Sequence, residues 1–174
     1  VNTWDITGVN SGVLNDALVD DRITFSGFNY LRGNEQTDIF NVTLNPLDPN
    51  ENGTIGTINN NIIEGEIFGV GGDDILNIVL TGSESGQIRF NGGGQNDQVN
   101  ISSGTLISGS YSETYTPNVD YTFDNITNSY DQISYSHTSQ TKFKVDYRQV
   151  SSVQDTVVAE TFTINGTSGN DSID

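Results

Sequence analysis

The sequence predicts an all-β protein, folded as a right-handed parallel β-helix (a β-solenoid), with a β-sandwich as the alternative. Three observations support this prediction. The composition is rich in strand-forming and turn-forming residues, a Gly/Asp turn motif occurs four times, and short alternating strands flank each turn.

The composition favours strands and turns over helices. The chain has 174 residues, enough for one domain or one stack of repeats, and 19 of them are glycine. Strand-forming Val, Ile, Thr, Tyr and Phe are plentiful, whereas the only alanines are Ala17 and Ala159 and methionine is absent. Cysteine is also absent, so disulfides and thiolate metal sites are excluded, and packing, hydrogen bonds or a hard metal ion must stabilise the fold.

The charge is strongly acidic, with 23 Asp and Glu against 6 Lys and Arg and a formal net charge of −17. Such a chain repels nucleic acid and anionic lipid, so neither is expected as a partner, and cations are favoured. The alternative is that the acidic surface only maintains solubility. No apolar run is long enough for a membrane span, so we expect no membrane insertion. We expect a segment of a longer protein that is secreted or displayed at the cell surface.

Each motif consists of a glycine, four residues and an aspartate, followed by a short strand of alternating residues. The second and fourth residues after the aspartate are apolar and should face a core, while asparagines between them face away. The predicted core positions are Phe40, Val42, Leu76, Ile78, Val99 and Ile101. The four motifs occupy residues 33–38, 69–74, 92–97 and 166–171.

A second β-like run precedes each turn, so the repeating unit is strand, Gly/Asp turn, strand. These runs cover residues 23–25 with 30–31, 66–68, 87–90 and 161–164. A unit of this size cannot bury its apolar face alone, so the units should stack in parallel, with like residues above like. Residues 45–53, rich in proline and Asx, are predicted to form an exposed loop.

The pattern divides the chain into three parts. Residues 1–109 are predicted to form solenoid coils with Gly/Asp turns, and residues 161–174 to begin a further repeat. Residues 110–160 have no Gly/Asp turn but alternate in Tyr, Thr and Ser. They are interpreted as degenerate coils, with an inserted hairpin as the alternative.

The motifs resemble the nonapeptide repeats of the RTX (hemolysin-type) calcium-binding family over about half the chain. The copies that begin at Gly69 and Gly166 have glycine at positions one and four, aspartate at six and an apolar residue at eight. The Gly92 copy has Gln95 at the fourth position, and the Gly33 copy keeps only the first glycine. The opening segment 4–13 resembles segments between such repeats in very large bacterial surface and adhesin proteins.

The resemblance implies a parallel β-roll or β-helix with calcium bound in its turns. Calcium takes six to eight oxygen ligands, which backbone carbonyls at glycine turns and aspartates can supply. Since no motif is followed directly by another nonapeptide, metal-free corners remain the alternative. The implied metal-site residues are Asp74, Asp97, Asp73, Asp38 and Asp171, with the turn glycines Gly69, Gly72 and Gly92.

The resemblance also implies a structural or adhesive role without catalysis. The implied partners are calcium, neighbouring repeats of the parent protein and a cell-surface or matrix polysaccharide. The alternatives are a carbohydrate-binding module and a polysaccharide-cleaving β-helix enzyme, because Asp73 and Asp74 resemble part of a polygalacturonase motif. That family's other motifs are missing, and the only histidine, His137, lies in a polar alternating segment. A pectate-lyase interpretation needs an arginine base beside a calcium cluster, and Arg89 is the nearest candidate to the acidic turns. Arg89 is equally well interpreted as a surface strand residue that prevents unwanted strand pairing.

Tyrosines at positions 115, 121, 130 and 135 alternate along the predicted strands. They are interpreted as core or cross-strand residues, with a sugar-stacking surface as the alternative.

Overall fold

A computed structural model describes residues 1–8, 11–16, 21–27, 30–43, 66–80, 86–103, 111–123, 126–137 and 140–167. All regular elements in these ranges are strands, which confirms the predicted all-β class and the scarcity of helix. The strands are β1 (Asn2–Gly8), β2 (Ser11–Asp16), β3 (Asp21–Phe25), β4 (Tyr30–Arg32), β5 (Asp38–Thr43), β6 (Glu66–Val70), β7 (Ile75–Leu80), β8 (Gly86–Gly93), β9 (Gln98–Ser103), β10 (Tyr111–Phe123), β11 (Ile126–His137), β12 (Gln140–Arg148), β13 (Ser152–Asp155) and β14 (Thr161–Ile164).

The strands form two mixed sheets of seven strands each. The first sheet has the order β13-β9-β7-β5-β1-β2-β3, and the second has the order β14-β10-β11-β12-β8-β6-β4. The described Gly/Asp turns each lead from the second sheet to the first, from β4 to β5, β6 to β7 and β8 to β9. Each of these strand–turn–strand units is called a coil below.

Consecutive coils pair in parallel and in register, as the motif spacing predicts. In the first sheet Phe40 pairs with Leu76 and Leu76 with Val99. In the second sheet β6 pairs with β8, and β8 with β12, also in parallel. The polar positions between the core residues face outward and are joined by side-chain hydrogen bonds, of 3.0 Å from Asn77 to Asn41 and 2.9 Å from Asn100 to Asn77.

A single hydrophobic core lies between the two sheets. All six predicted core residues are at most 1% exposed, which confirms the inward assignment of alternate positions. Phe40 of the first sheet meets Phe90 of the second edge to face, with ring centroids 6.2 Å apart. At one side of the core the Trp4 ring stacks on Phe40 at 5.8 Å.

The sheets remain open instead of closing into a helix, and each also contains antiparallel pairs, β1-β2-β3 and β10-β11-β12. Two open sheets that face one core are compatible with the β-sandwich alternative. Within the range 110–160, β10 and β11 form an antiparallel hairpin, whereas β12 and β13 form a further coil on β8 and β9. The predicted loop 45–53 and the aspartate of the fourth motif, Asp171, lie outside the described residues.

Candidate functional site

The aspartates that end the Gly/Asp turns form a ladder from one coil to the next. The main-chain N–H of Asp38 donates to Asp74 Oδ1 at 2.7 Å, and the N–H of Asp74 donates to Asp97 Oδ1 at 2.8 Å. All three side chains are fully buried. Trp4 Nε1 donates to Asp38 Oδ1 at 3.4 Å and caps the ladder at the β1 side. Because the carboxylates of Asp74 and Asp97 each satisfy a buried main-chain amide of the neighbouring coil, they hold the stack in register.

The first glycine of each turn provides the space into which the aspartate of the same turn folds. A Cβ at Gly69 would lie 2.2 Å from Asp74 Oδ2 and 2.5 Å from the carbonyl oxygen of Gly92. Gly33 and Gly92 are crowded in the same way by the aspartates of their own turns. A Cβ at Gly72, whose φ is 100°, would lie 2.5 Å from the main chain of the first turn. The recurring six-residue Gly/Asp spacing thus has a packing cause that involves no metal.

Two carboxylate oxygens of the ladder have no hydrogen-bond partner among the described residues. They are Asp74 Oδ2 and Asp97 Oδ2, and both are buried. In the first turn the corresponding oxygen, Asp38 Oδ2, accepts a 2.8 Å hydrogen bond from the N–H of Asn34. A proton, a water molecule or a cation could satisfy these oxygens in the second and third turns.

A difference in backbone conformation accompanies this loss. Val70 and Gly93 stand in the second and third turns where Asn34 stands in the first, and their φ angles are 91° and 103°. Asn34 is not among the described residues with positive φ. The left-handed turn leaves the carboxylate without the local amide that the first turn supplies.

Burial raises the pKa of Asp74 to about 7; the hydrogen bond from the Asp38 amide opposes the shift, and the carboxylates of Asp97, Asp38 and Asp73 add to it. Burial also raises the pKa of Asp97. The second and third turns thus concentrate negative charge in a desolvated place, where either a proton or a cation lowers the free energy.

The turns match the oxygen chemistry of calcium only in part. Asp73 is exposed and accepts a 3.1 Å hydrogen bond from the Asn96 N–H, so it lies apart from the buried carboxylate of Asp74. No group of three or more acidic or histidine side chains suited to a metal occurs among the described residues. The structure therefore offers one orphaned oxygen in each of two turns, from Asp74 and Asp97, and backbone carbonyls would have to complete any coordination shell.

A second candidate site is a cavity of about 210 Å³ on the outer face of the second sheet, called the arginine–tyrosine cavity below. It lies under the tip of the β10–β11 hairpin, beyond a register shift between Thr116 and Val119. Its walls include two arginines and four aromatic side chains, Arg89, Arg148, Tyr30, Phe68, Tyr121 and Tyr130.

The arginines of the cavity stack on its tyrosines. The Arg89 guanidinium lies 4.5 Å from the ring centroid of Tyr121 and 5.1 Å from that of Tyr130, and Arg148 lies 4.9 Å from Tyr130. Arg148 also forms a 3.6 Å ion pair with Glu66, which accepts a 2.5 Å hydrogen bond from the Tyr130 hydroxyl. Burial raises the pKa of Glu66, against the influence of Tyr130 and both arginines.

The sequence interpretation of Arg89 as a surface residue that prevents edge pairing is wrong. Arg89 is only 7% exposed, and β8 lies inside the second sheet between β12 and β6. The tyrosine interpretation is confirmed for Tyr135, which is fully buried in the core, and for Tyr121 and Tyr130, whose rings pack edge to face across β10 and β11 at 5.8 Å. Tyr121 and Tyr130 also line the cavity. Alternation did place Arg89 on the face opposite Ile88 and Phe90, but it did not show that a hairpin covers that face.

No protein-family model, curated protein sequence or solved structure was found to match the chain. The RTX resemblance therefore stays a prediction that depends on the residues of the turns. No helix among the described residues has the length and apolar character needed to cross a bilayer.

Proposed function

We propose that the chain is a structural and adhesive segment of a large secreted bacterial surface protein, in which β-solenoid coils stack and calcium assists the stack. The observation that carries the structural part is the aspartate ladder. Asp38, Asp74 and Asp97 occupy equivalent places in successive coils, and each later carboxylate binds the main chain of the coil before it. Because successive coils make the same contact, further coils can be added to the stack in the same way, which suits a stalk or spacer.

The sheet edges support association with neighbouring repeats. β3 and β13 end the first sheet, and β4 and β14 end the second. An edge strand presents main-chain N–H and C=O groups that another strand can pair with. We therefore expect further coils of a parent protein to continue the stack at these edges.

The geometry of the acidic pair favours structure over catalysis. A polysaccharide-cleaving enzyme needs two carboxylates that face one substrate. Asp74 is buried and bound to the Asp38 amide, whereas Asp73 is exposed and bound to Asn96. Asp73 and Asp74 thus lie in different environments and do not form a pair of carboxylates that face one substrate.

Calcium is assigned a supporting role in the second and third turns. Its sites would use Asp74 Oδ2 and Asp97 Oδ2, the two orphaned oxygens, with main-chain carbonyls of the glycine turns. A divalent cation there would relieve the repulsion among the ladder carboxylates. In the first turn, Asp38 already has partners for both oxygens, so it contributes less.

Thermal unfolding in calcium and in chelator tests this proposal. A cation that binds only the folded chain adds about 2.7 kcal/mol at a hundredfold excess over its Kd, which for a chain of this size raises the Tm by roughly 5–10 °C. Asp97→Asn should reduce this rise, while Asp120→Asn, which removes the same charge from an exposed site on the hairpin, should preserve it. Equal Tm values in calcium and chelator for the parent would leave the turns as metal-free corners.

A further inference from the structure

The arginine–tyrosine cavity concentrates positive charge in a chain that has little of it. The whole sequence contains six Lys and Arg against 23 Asp and Glu, yet two of those six, Arg89 and Arg148, line one cavity. Arg148 has a partner in Glu66 at 3.6 Å. For Arg89, no carboxylate lies within ion-pair distance among the described residues. Arg89 lowers the pKa of both Glu66 and its cross-strand neighbour Asp146 by its charge, but it forms a direct ion pair with neither.

Arg89 is also short of hydrogen bonds. Arg89 is only 7% exposed. Its Nε and Nη2 atoms have no hydrogen-bond acceptor in the described part of the chain. These two nitrogens form one edge of the planar guanidinium, the edge that binds both oxygens of a carboxylate in parallel. A buried arginine with a free fork lacks an anionic acceptor, and the cavity that it lines is where one would enter.

The aromatic rings fix the guanidinium groups and extend the cavity to the surface. Tyr121 and Tyr130 support Arg89 from their faces, so its planar group is held before any ligand arrives. Tyr30 stacks against Phe68 with ring centroids 6.4 Å apart and is 49% exposed. An exposed aromatic ring beside a charged cavity is a platform for the apolar face of a ring-shaped ligand.

We propose that the arginine–tyrosine cavity binds a uronic acid residue of a polysaccharide, with the sugar carboxylate at Arg89 and Arg148 and the pyranose ring against Tyr30. This inference rests on the adhesive part of the proposed function and names its ligand class. The volume of about 210 Å³ lies below the roughly 300–1,000 Å³ of drug-sized ligand sites, which suits one sugar ring.

The net charge of −17 comes largely from distant exposed carboxylates, and exposed charges farther than about 8 Å are largely screened at physiological ionic strength. Near the cavity Glu66 and Asp146 balance the two arginines, so the unsatisfied hydrogen-bonding edge of Arg89 is the feature that favours an anion. Glu66 is the acid of the site, and the Tyr130 hydroxyl and Arg148 already bind it. A neutral sugar offers the Nε and Nη2 atoms of Arg89 only uncharged hydroxyl acceptors, whereas a carboxylate accepts two parallel charge-assisted hydrogen bonds, so the carboxylate is the feature that the site selects.

Titration of the whole chain with D-galacturonate and its trimer, followed by amide NMR shifts, tests the site. We expect saturable shifts at the cavity residues, and none with D-galactose or with the methyl ester of galacturonate. Acetate and inorganic sulfate separate a sugar site from a general anion site, and a glucose 6-sulfate titration separates carboxylate from sulfate selection. Shifts of equal affinity with acetate or sulfate would overturn the sugar assignment.

Variants of the cavity are compared with a matched variant elsewhere. Arg148→Gln should weaken uronate binding by about tenfold or more, because it removes a charge-assisted hydrogen bond to the sugar carboxylate. Tyr30→Ala should weaken it by a similar factor, because the pyranose ring loses its stacking surface. Arg22→Gln, which removes an equal charge from exposed β3 of the first sheet, should bind as the parent does. Arg89 is buried, so Arg89→Lys is used only if its circular dichroism matches the parent. Unchanged binding in both Arg148→Gln and Tyr30→Ala would overturn the site.

Affinity electrophoresis in polygalacturonate gels separates this inference from the proposed function. Retention of the parent and equal retention of both cavity variants would place adhesion elsewhere and refute the cavity. No retention of the parent, together with no NMR shift, would refute the cavity and the adhesive role together. The structural role is judged independently by the melting experiment in calcium and chelator.

Discussion

The Asp97 carboxylate accepts a hydrogen bond of 2.8 Å from the main-chain N–H of Asp74, which lies 23 residues earlier in the chain. The relation repeats from Asp74 to Asp38 over 36 residues, at 2.7 Å. Coils of different length therefore meet through the same contact. The turn aspartate therefore links two coils through a hydrogen bond, and this link requires no calcium.

Two substitutions of Asp74 distinguish the effect of its hydrogen bond to the Asp38 amide from the effect of its negative charge. Asp74→Ala should lower the free energy of unfolding by about 1–3 kcal/mol, because the buried Asp38 N–H loses its acceptor. Asp74→Asn keeps Oδ1 as the acceptor and places an amide donor near the Gly92 carbonyl, so it should be neutral or stabilising in chelator. Urea denaturation in chelator measures both. An equal loss in both variants would show that the negative charge itself is required.

Gly69 should not tolerate a side chain. Gly69→Ala places Cβ 2.2 Å from Asp74 Oδ2 and 2.5 Å from the Gly92 carbonyl, so we expect a loss of at least about 2 kcal/mol from overpacking against the main chain. Gly94→Ala is the matched control, since its nearest atom would lie at 3.9 Å. Thermal unfolding of the two variants compares them, and a stable Gly69→Ala would contradict the cradle described for the aspartate.

Val70 is strained, because a β-branched residue rarely adopts a φ near 91°. Such strain costs on the order of 1–3 kcal/mol, and asparagine tolerates positive φ better. Val70→Asn should therefore raise stability by about 1 kcal/mol. In contrast, Val153→Asn should lower it, since Val153 packs against the core from an ordinary strand. Chemical denaturation measures both changes, and a destabilised Val70→Asn would show that its packing outweighs the strain.

Glu113, at the side of the core, should make the chain less stable as the pH rises, in addition to Asp74, whose pKa is also raised to about 7. Burial raises the pKa of Glu113 from 4.5 to about 7, and Asp155 adds to the shift by its charge and hydrogen bond. A raised folded pKa means that the contribution is complete below pH 4.5 and is lost as pH rises through about 7.

Glu113→Gln should remove the part of the pH dependence of stability that Glu113 causes. Urea denaturation between pH 4.5 and 8 should give a flatter profile for Glu113→Gln than for the parent, and the variant should be the more stable above pH 7. Asp120→Asn, an equal loss of charge at an exposed site, should keep the parent's slope. Parallel profiles for the parent and Glu113→Gln would assign the pH dependence to other groups.

The sequence predicted the coil interior well, because period-two alternation and the Gly/Asp spacing are local signals. Phe40, Leu76 and Val99 share one register and one core as expected. The carboxylate-to-amide contacts between coils were not predicted, since they join residues 23 and 36 positions apart that only the stack brings together. The β10–β11 hairpin matches the alternative of an inserted hairpin within residues 110–160. The antiparallel pairing of β1, β2 and β3 was not predicted.

The arginine–tyrosine cavity could not be predicted from the sequence for a different reason. Arg89 occupies an outward strand position, which normally means solvent. The tip of the hairpin covers it, through contacts such as Gln87 Nε2 to the Tyr121 hydroxyl at 3.0 Å. An arginine flanked by Ile88 and Phe90 in a chain with few cations was the available signal, but only tertiary structure shows that two tyrosines meet it.

The parallel junction between β8 and β12 also sets how fast the chain can reach this structure. It brings together residues as distant as Gln87 and Asp146, which are 59 positions apart and hydrogen-bonded. Closing so long a loop before any contact forms is entropically costly, and strand pairings of this range belong to domains that fold in about milliseconds to seconds. Stopped-flow refolding followed by intrinsic fluorescence should therefore show a slow main phase. Completion of refolding within microseconds would contradict a folding rate limited by this junction. Until that junction forms, the edges of β8 and β12 remain open to other chains, so the protein is exposed to misassembly during its slowest folding step.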